Sequence, residues 1–95
     1  MIEILTFRLE EGTDEGDFLE ADRAVQMEFA YQQPGLLRRT TARGSDGSWL
    51  VIDIWRSPED ADACDRVWGQ DEWTSRFMSL VDAASVRTAR YEQLD

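Results

Sequence analysis

The sequence predicts an α+β fold: one four-stranded sheet with its helices on a single face, and a second copy of the chain over the other. Three observations lead there. Residues 49–55, Trp-Leu-Val-Ile-Asp-Ile-Trp, read as a strand with two apolar faces: Leu50, Ile52 and Ile54 on one, Trp49, Val51 and Trp55 with Asp53 on the other. The elements run β-α-β twice over. Right-handed crossovers in two such units put both sets of helices on the same face. Leu50, Ile52 and Ile54 are expected on the helix side, which leaves Trp49, Val51 and Trp55 on the bare side; the inverted assignment changes little, because both faces of the strand are apolar. Leaving side chains of that size in water forgoes about 1.5–3 kcal/mol each. A two-fold homodimer pairing sheet against sheet removes that loss.

The elements follow in order. Ile2 to Leu9 alternates as strand one, and Glu10-Glu11-Gly12 turns. Thr13 or Asp14 caps a helix with Glu15 and Asp17 in its first turn, where the helix dipole favours acids. Its stripe is Phe18, Ala21, Val25 and Phe29, and it runs to about Gln32, before Pro34-Gly35. Leu36 to Arg43 is strand two, Gly44-Ser45-Asp46-Gly47 the hairpin turn, and 48–56 strand three. Ser57-Pro58-Glu59-Asp60 starts a helix with Ala61, Cys64, Val67 and Trp68 on one face, and Gly69 interrupts it. A further helix from Asp71 carries Trp73, Phe77, Leu80, Val81 and Ala84, and strand four spans roughly 85–93.

Composition narrows the chemistry. Ninety-five residues suit one domain, 1–95, and 42% hydrophobic with 32% charged residues suits a soluble globular chain. No apolar run approaches a membrane span and the N-terminus lacks a signal pattern, so a cytoplasmic location and no membrane partner are expected. The lone Cys64 agrees with a reducing compartment. A net charge of −10 repels phosphate backbones, so no nucleic-acid partner is expected. There is no His and no Lys. That removes Ser-His-Asp and Cys-His systems, His-containing metal sites, lysine Schiff bases and the P-loop. Acid–base work falls to Asp, Glu, Tyr31, Tyr91 or Cys64, because Arg stays protonated.

Asp53 is the foremost candidate. A carboxylate between two tryptophans on a central strand is a base with a raised pKa, or else a salt-bridge partner of Arg38, Arg39 or Arg90. Arg38 and Arg39 suit an oxyanion or a bound carboxylate, or pair across strands. Arg38 is taken as the catalytic arginine beside Asp53. Trp55, Trp68, Trp73 and Phe77 form either an aromatic ligand pocket or plain core. Cys64, on an apolar helix face, is expected to be an inert small hydrophobe.

Gln33-Pro34-Gly35-Leu36, Asp53-Ile54-Trp55-Arg56-Ser57 and Ala61-Asp62-Ala63-Cys64, with Trp73 beyond them, resemble the antibiotic-biosynthesis-monooxygenase-like family of the dimeric α+β barrel superfamily. The shared pattern is a Pro-Gly before strand two, an acid-x-aromatic end to strand three, a capped helix and a later aromatic. The resemblance implies a ferredoxin-like β-α-β-β-α-β protomer with an antiparallel four-stranded sheet, pairing into a dimeric α+β barrel. It also implies a small cavity, in some members between sheet and helices. Haem-degrading members carry an Asn in strand one, a Trp in the second helix and an axial His afterwards. Those places hold Leu5, Cys64 and Phe77 here, so a haem role is not implied, and no cofactor is expected. Quinol-type members often carry His where Cys64 stands, which sets Cys64 among the ligand-binding residues.

Two functions of different class follow. One is cofactor-independent oxidation or binding of a small apolar or aromatic metabolite, with Asp53 as base and tryptophans as walls. The other is a non-catalytic homodimer that binds a ligand or serves assembly.

Overall fold

The computed structural model describes residues 1–95. Its strands are β1 (Ile2–Phe7), β2 (Leu36–Arg43), β3 (Trp49–Trp55) and β4 (Arg87–Tyr91). Its helices are α1 (Glu15–Glu28), α2 (Pro58–Val67) and α3 (Glu72–Ser79), with single 3₁₀ turns at Ala30–Gln32 and Ala83–Ser85. The sheet order is β2-β3-β1-β4, and every neighbouring pair is antiparallel. Each crossover therefore skips over one strand, the ferredoxin-like α+β arrangement. No helix is long and apolar enough to cross a membrane.

The helix starts follow their sequence signals. Asp14 accepts from the Asp17 N–H, Ser57 from Asp60 and Asp71 from Thr74, each satisfying a backbone donor that the helix leaves free. Pro58 opens α2, and Gly69 at φ +83° separates α2 from α3. Gly35, also at positive φ, sends its carbonyl to the Arg56 N–H at 2.8 Å, and a Cβ there would overlap the Asp60 carboxyl. The Pro-Gly pair thus sets how β2 enters the sheet beside α2.

Several ends differ from expectation. β1 stops at Phe7, and Leu9 makes only an isolated bridge with Val81. That bridge, with the Glu10 N–H bonded to the Leu80 carbonyl at 2.8 Å, draws Leu80 and Val81 out of α3. α1 ends at Glu28, because Phe29 leaves helical geometry and the chain tightens into the 3₁₀ turn. β4 is shorter than the predicted 85–93, since the 3₁₀ turn takes Ser85 and strand pairing to β1 ends at Tyr91.

The largest correction concerns the faces of β3. Trp49, Val51 and Trp55 lie under the helices, and Leu50, Ile52 and Ile54 lie on the open side. The large rings have the most surface to hide, so they take the side that one chain can cover by itself. Phe18 of α1 sits 4.7 Å from the Trp49 ring, 5.8 Å from Phe7 and 5.3 Å from Phe77 of α3, centre to centre. The open side carries Ile2 and Ile4 of β1 beside Ile54 and Ile52, all half-buried. No helix of the chain shares that side.

Candidate functional site

Strand alternation carries Asp53 under the helices along with Val51 and Trp55. Its register partners are Arg39 on β2 and Glu3 on β1, and Glu3 faces Arg90 on β4. A row of four facing residues, Arg39–Asp53–Glu3–Arg90, with two acids between two arginines, thus crosses the covered face of the sheet. Above it a cavity of about 250 Å³ opens between sheet and helices. Leu5, Val51 and Trp55 line its floor, Phe29, Cys64, Trp68 and Phe77 its roof, and Glu3, Arg39, Asp53 and Asp65 its polar side. Trp68 meets Phe29 and Phe77 edge to face at 5.5 and 5.8 Å, which fixes the roof.

The charges of the row are unequally satisfied. Arg39 Nη2 donates to Asp22 of α1 at 2.7 Å, and Nη1 donates to Gln26 at 3.3 Å and Thr41 at 3.4 Å. Arg90 donates to Glu3 at 2.7 Å and to Asp62 and Asp65 of α2 at 2.7 and 3.1 Å, which holds its pKa above the usual value. Asp53 receives less. Its Oδ1 lies 4.0 Å from Arg39 Nε and makes no hydrogen bond. Burial pushes the Asp53 pKa up to about 6; Arg39 opposes the rise, while Glu3, Asp22 and Asp65 add to it. Nε1 of Trp55 is the other buried side-chain atom without a partner. Two orphaned polar groups, an acceptor and a donor, therefore belong to neighbouring residues of one cavity wall.

Of the residues singled out from sequence, Asp53, Trp55, Cys64, Trp68 and Phe77 line this cavity. Arg38 does not. It is exposed and paired with Ile54 on the open side, whereas Arg39 turns inward beside Asp53, after an irregularity in β2 near Leu37. Trp73 is also outside the wall, packed half-buried against the edge of the core. Burial pushes the Cys64 thiol up to about 12, with Asp65, Asp53 and Glu3 adding to it, so it stays protonated and unreactive. The Tyr31 hydroxyl accepts from the Arg39 N–H at 2.9 Å and holds the β2 backbone, while Tyr91 is exposed on the open side.

The sequence reading passed over Glu3 and Asp22. Both carried a signal: Glu3 shares its strand face with Leu5 and Phe7, and Asp22 stands four residues after Phe18 on the α1 stripe. A charge on an apolar face is a partner in waiting. No group of three or more His, Cys, Asp or Glu side chains is placed to hold a metal ion.

No protein-family model matches the chain, and no curated protein matches it in sequence. Solved structures do match in shape. SnoaB, a cofactor-independent oxygenase from Streptomyces nogalater, superposes at a TM-score of 0.79 with 16% identity, over 99% of this chain and 92% of its own. A candidate antibiotic biosynthesis monooxygenase from Bordetella bronchiseptica gives 0.80 at 14% identity, over 98% and 95%. Another from Nitrosomonas europaea gives 0.76 at 19%, over 98% and 88%. The chain has their fold. The likeness seen in the Pro-Gly and Asp-x-Trp motifs is thus matched by architecture over nearly the whole chain.

Proposed function

We propose that the cavity binds a small hydroxyaromatic compound and that Asp53 is the general base for its oxidation by dioxygen, without haem. The observation that carries this reading is a cavity walled largely by apolar and aromatic side chains, whose lining residues Asp53 and Trp55 each have a buried polar atom, Oδ1 and Nε1, that makes no hydrogen bond. Hydroxyl groups suit both, since a hydroxyl donates to a carboxylate and accepts from an indole N–H. A base with a midpoint of about 6 is well matched to taking a proton near neutral pH.

Deprotonation makes the ring electron-rich enough to pass one electron to dioxygen. The ring radical and superoxide then combine, forming a carbon–oxygen bond. Loss of water leaves a quinone: one oxygen atom enters the ring and the other leaves as water. Arg39, held by Asp22, and not Arg38, supplies the positive charge for the developing anion. The description of SnoaB as a cofactor-independent oxygenase supports this chemistry by likeness of fold.

Two copies are proposed to pair through the open side of the sheet, where Ile2, Ile4, Leu50, Ile52 and Ile54 have no cover. The test of activity is oxygen uptake with dihydroxyaromatic compounds, for wild type and Asp53→Asn. Uptake by wild type alone is expected. Equal uptake in both removes Asp53 as base. Binding with no uptake in either leaves a ligand-binding protein, the non-catalytic alternative.

A further inference from the structure

We infer that the ligand of this cavity is a hydroxyaromatic amine, recognised by its positive charge as well as its ring, and that carboxylated aromatics are rejected. This deepens the hydroxyaromatic reading above and rests on it. The first observation is the charge inventory. Glu3, Asp22, Asp53, Asp62 and Asp65 share two guanidiniums, those of Arg39 and Arg90. Arg39 is the one basic residue on the cavity wall, and its Nη2 is committed to Asp22 at 2.7 Å. Arg90 is divided among Glu3, Asp62 and Asp65. The one wall cation is already offset by Asp22 and Asp53, so a ligand carboxylate would add a full negative charge beside three wall acids, Glu3, Asp53 and Asp65, whereas a phenolate forms only as Asp53 is neutralised.

The second observation is the pair of orphaned atoms. Trp55, 3% exposed, has an indole N–H with no acceptor, which a hydroxyl oxygen supplies. Asp53 Oδ1 lacks a donor, which the hydroxyl supplies, and the charge of this carboxylate attracts an ammonium elsewhere on the same ligand. The remaining walls favour the same ligand. Trp55, Trp68, Phe29 and Phe77 present aromatic surface, which attracts a cation as well as a ring. Size points the same way, since about 250 Å³ lies just below the usual span of ligand pockets and suits one or two rings. The proposed chemistry gains as well. Proton transfer to Asp53 moves the negative charge from the carboxylate to the substrate oxygen, leaving the net charge of the site unchanged, and an ammonium on the substrate lowers the energy of that oxyanion.

The test is calorimetric titration of the full chain near neutral pH with three probes of similar size: tyramine, 4-ethylphenol and 4-hydroxyphenylacetate. Tyramine is expected to bind one per chain and at least about tenfold more tightly than 4-ethylphenol, the scale of one charge-assisted hydrogen bond, with 4-hydroxyphenylacetate weakest. In Asp53→Asn the preference for tyramine is expected to shrink to about threefold or less, a remnant owed to the other wall acids. Binding of 4-ethylphenol at least as tight as that of tyramine overturns the amine assignment and leaves the hydroxyaromatic reading standing. Retention of the full preference in Asp53→Asn also overturns it. Failure of all three probes to bind overturns both.

Discussion

Replacing Asp53 by Asn should stabilise the protein at neutral pH and not in acid. In the unfolded chain this carboxyl ionises near 3.8, and in the fold near 6, chiefly because burial penalises the charge. Between those values the folded chain holds the proton more tightly than the unfolded one. Raising the pH through that window therefore destabilises the fold, and above about pH 6 the whole penalty applies. A displacement of that size corresponds to about 3 kcal/mol. The side chain is 17% exposed, so most of that figure applies, although a buried amide brings unsatisfied atoms of its own. Asp53→Asn is accordingly expected to be about 2 kcal/mol more stable than wild type near pH 7.5, and no more stable near pH 4.5. Asp46 and Asp60, held low by hydrogen bonds from Ser48 and from Arg56 and Ser57, titrate below this window in both proteins. The assay is urea unfolding followed by tryptophan fluorescence, at one protein concentration and both pH values. If the Asn variant proves about 1 kcal/mol or more less stable near neutral pH, Asp53 is a structural partner of Arg39, and the account of a strained, available base is wrong.

Other consequences can be checked alongside. Ile52→Asp, on the open side of the central strand, should yield folded monomer, with sedimentation velocity and circular dichroism as readouts; an undisturbed dimer would place the contact elsewhere. Arg39→Met leaves Asp22 and Asp53 without their shared cation and should cost about 3–5 kcal/mol in chemical denaturation, the penalty for a stranded buried charge. Gly35→Ala combines a positive φ with overlap on Asp60, and should lower stability by about 2 kcal/mol or more. Cys64 should resist a disulfide reagent in native protein and react on addition of urea. Rapid native labelling would contradict its raised pKa and burial.

Much of the architecture was legible in local chemistry. Ser57-Pro58 starts α2, Asp71 caps α3, Gly44 to Gly47 turns the hairpin, and Leu36–Arg43 is β2 as read. These signals work because capping bonds, the fixed φ of proline and the freedom of glycine act within a few residues of their origin. The absence of His and Lys likewise needed no coordinates to remove whole classes of mechanism. Asp53 drew notice because a charge interrupts an apolar strand, which is a local fact.

Which side of β3 faces the helices was another matter. Both sides are apolar, so alternation sorts the residues into two sets without naming the covered one. Only the packing of Phe18 and Phe77 against Trp49 and its neighbours decided it. The choice between Arg38 and Arg39 had the same character: adjacent residues point to opposite faces, and the irregularity near Leu37 resets which one turns inward. The cavity and the unequal sharing of Arg39 and Arg90 among their acids were likewise decided only by the fold. They arise where strands and helices distant in the chain meet, and short-range preference carries no information about that meeting.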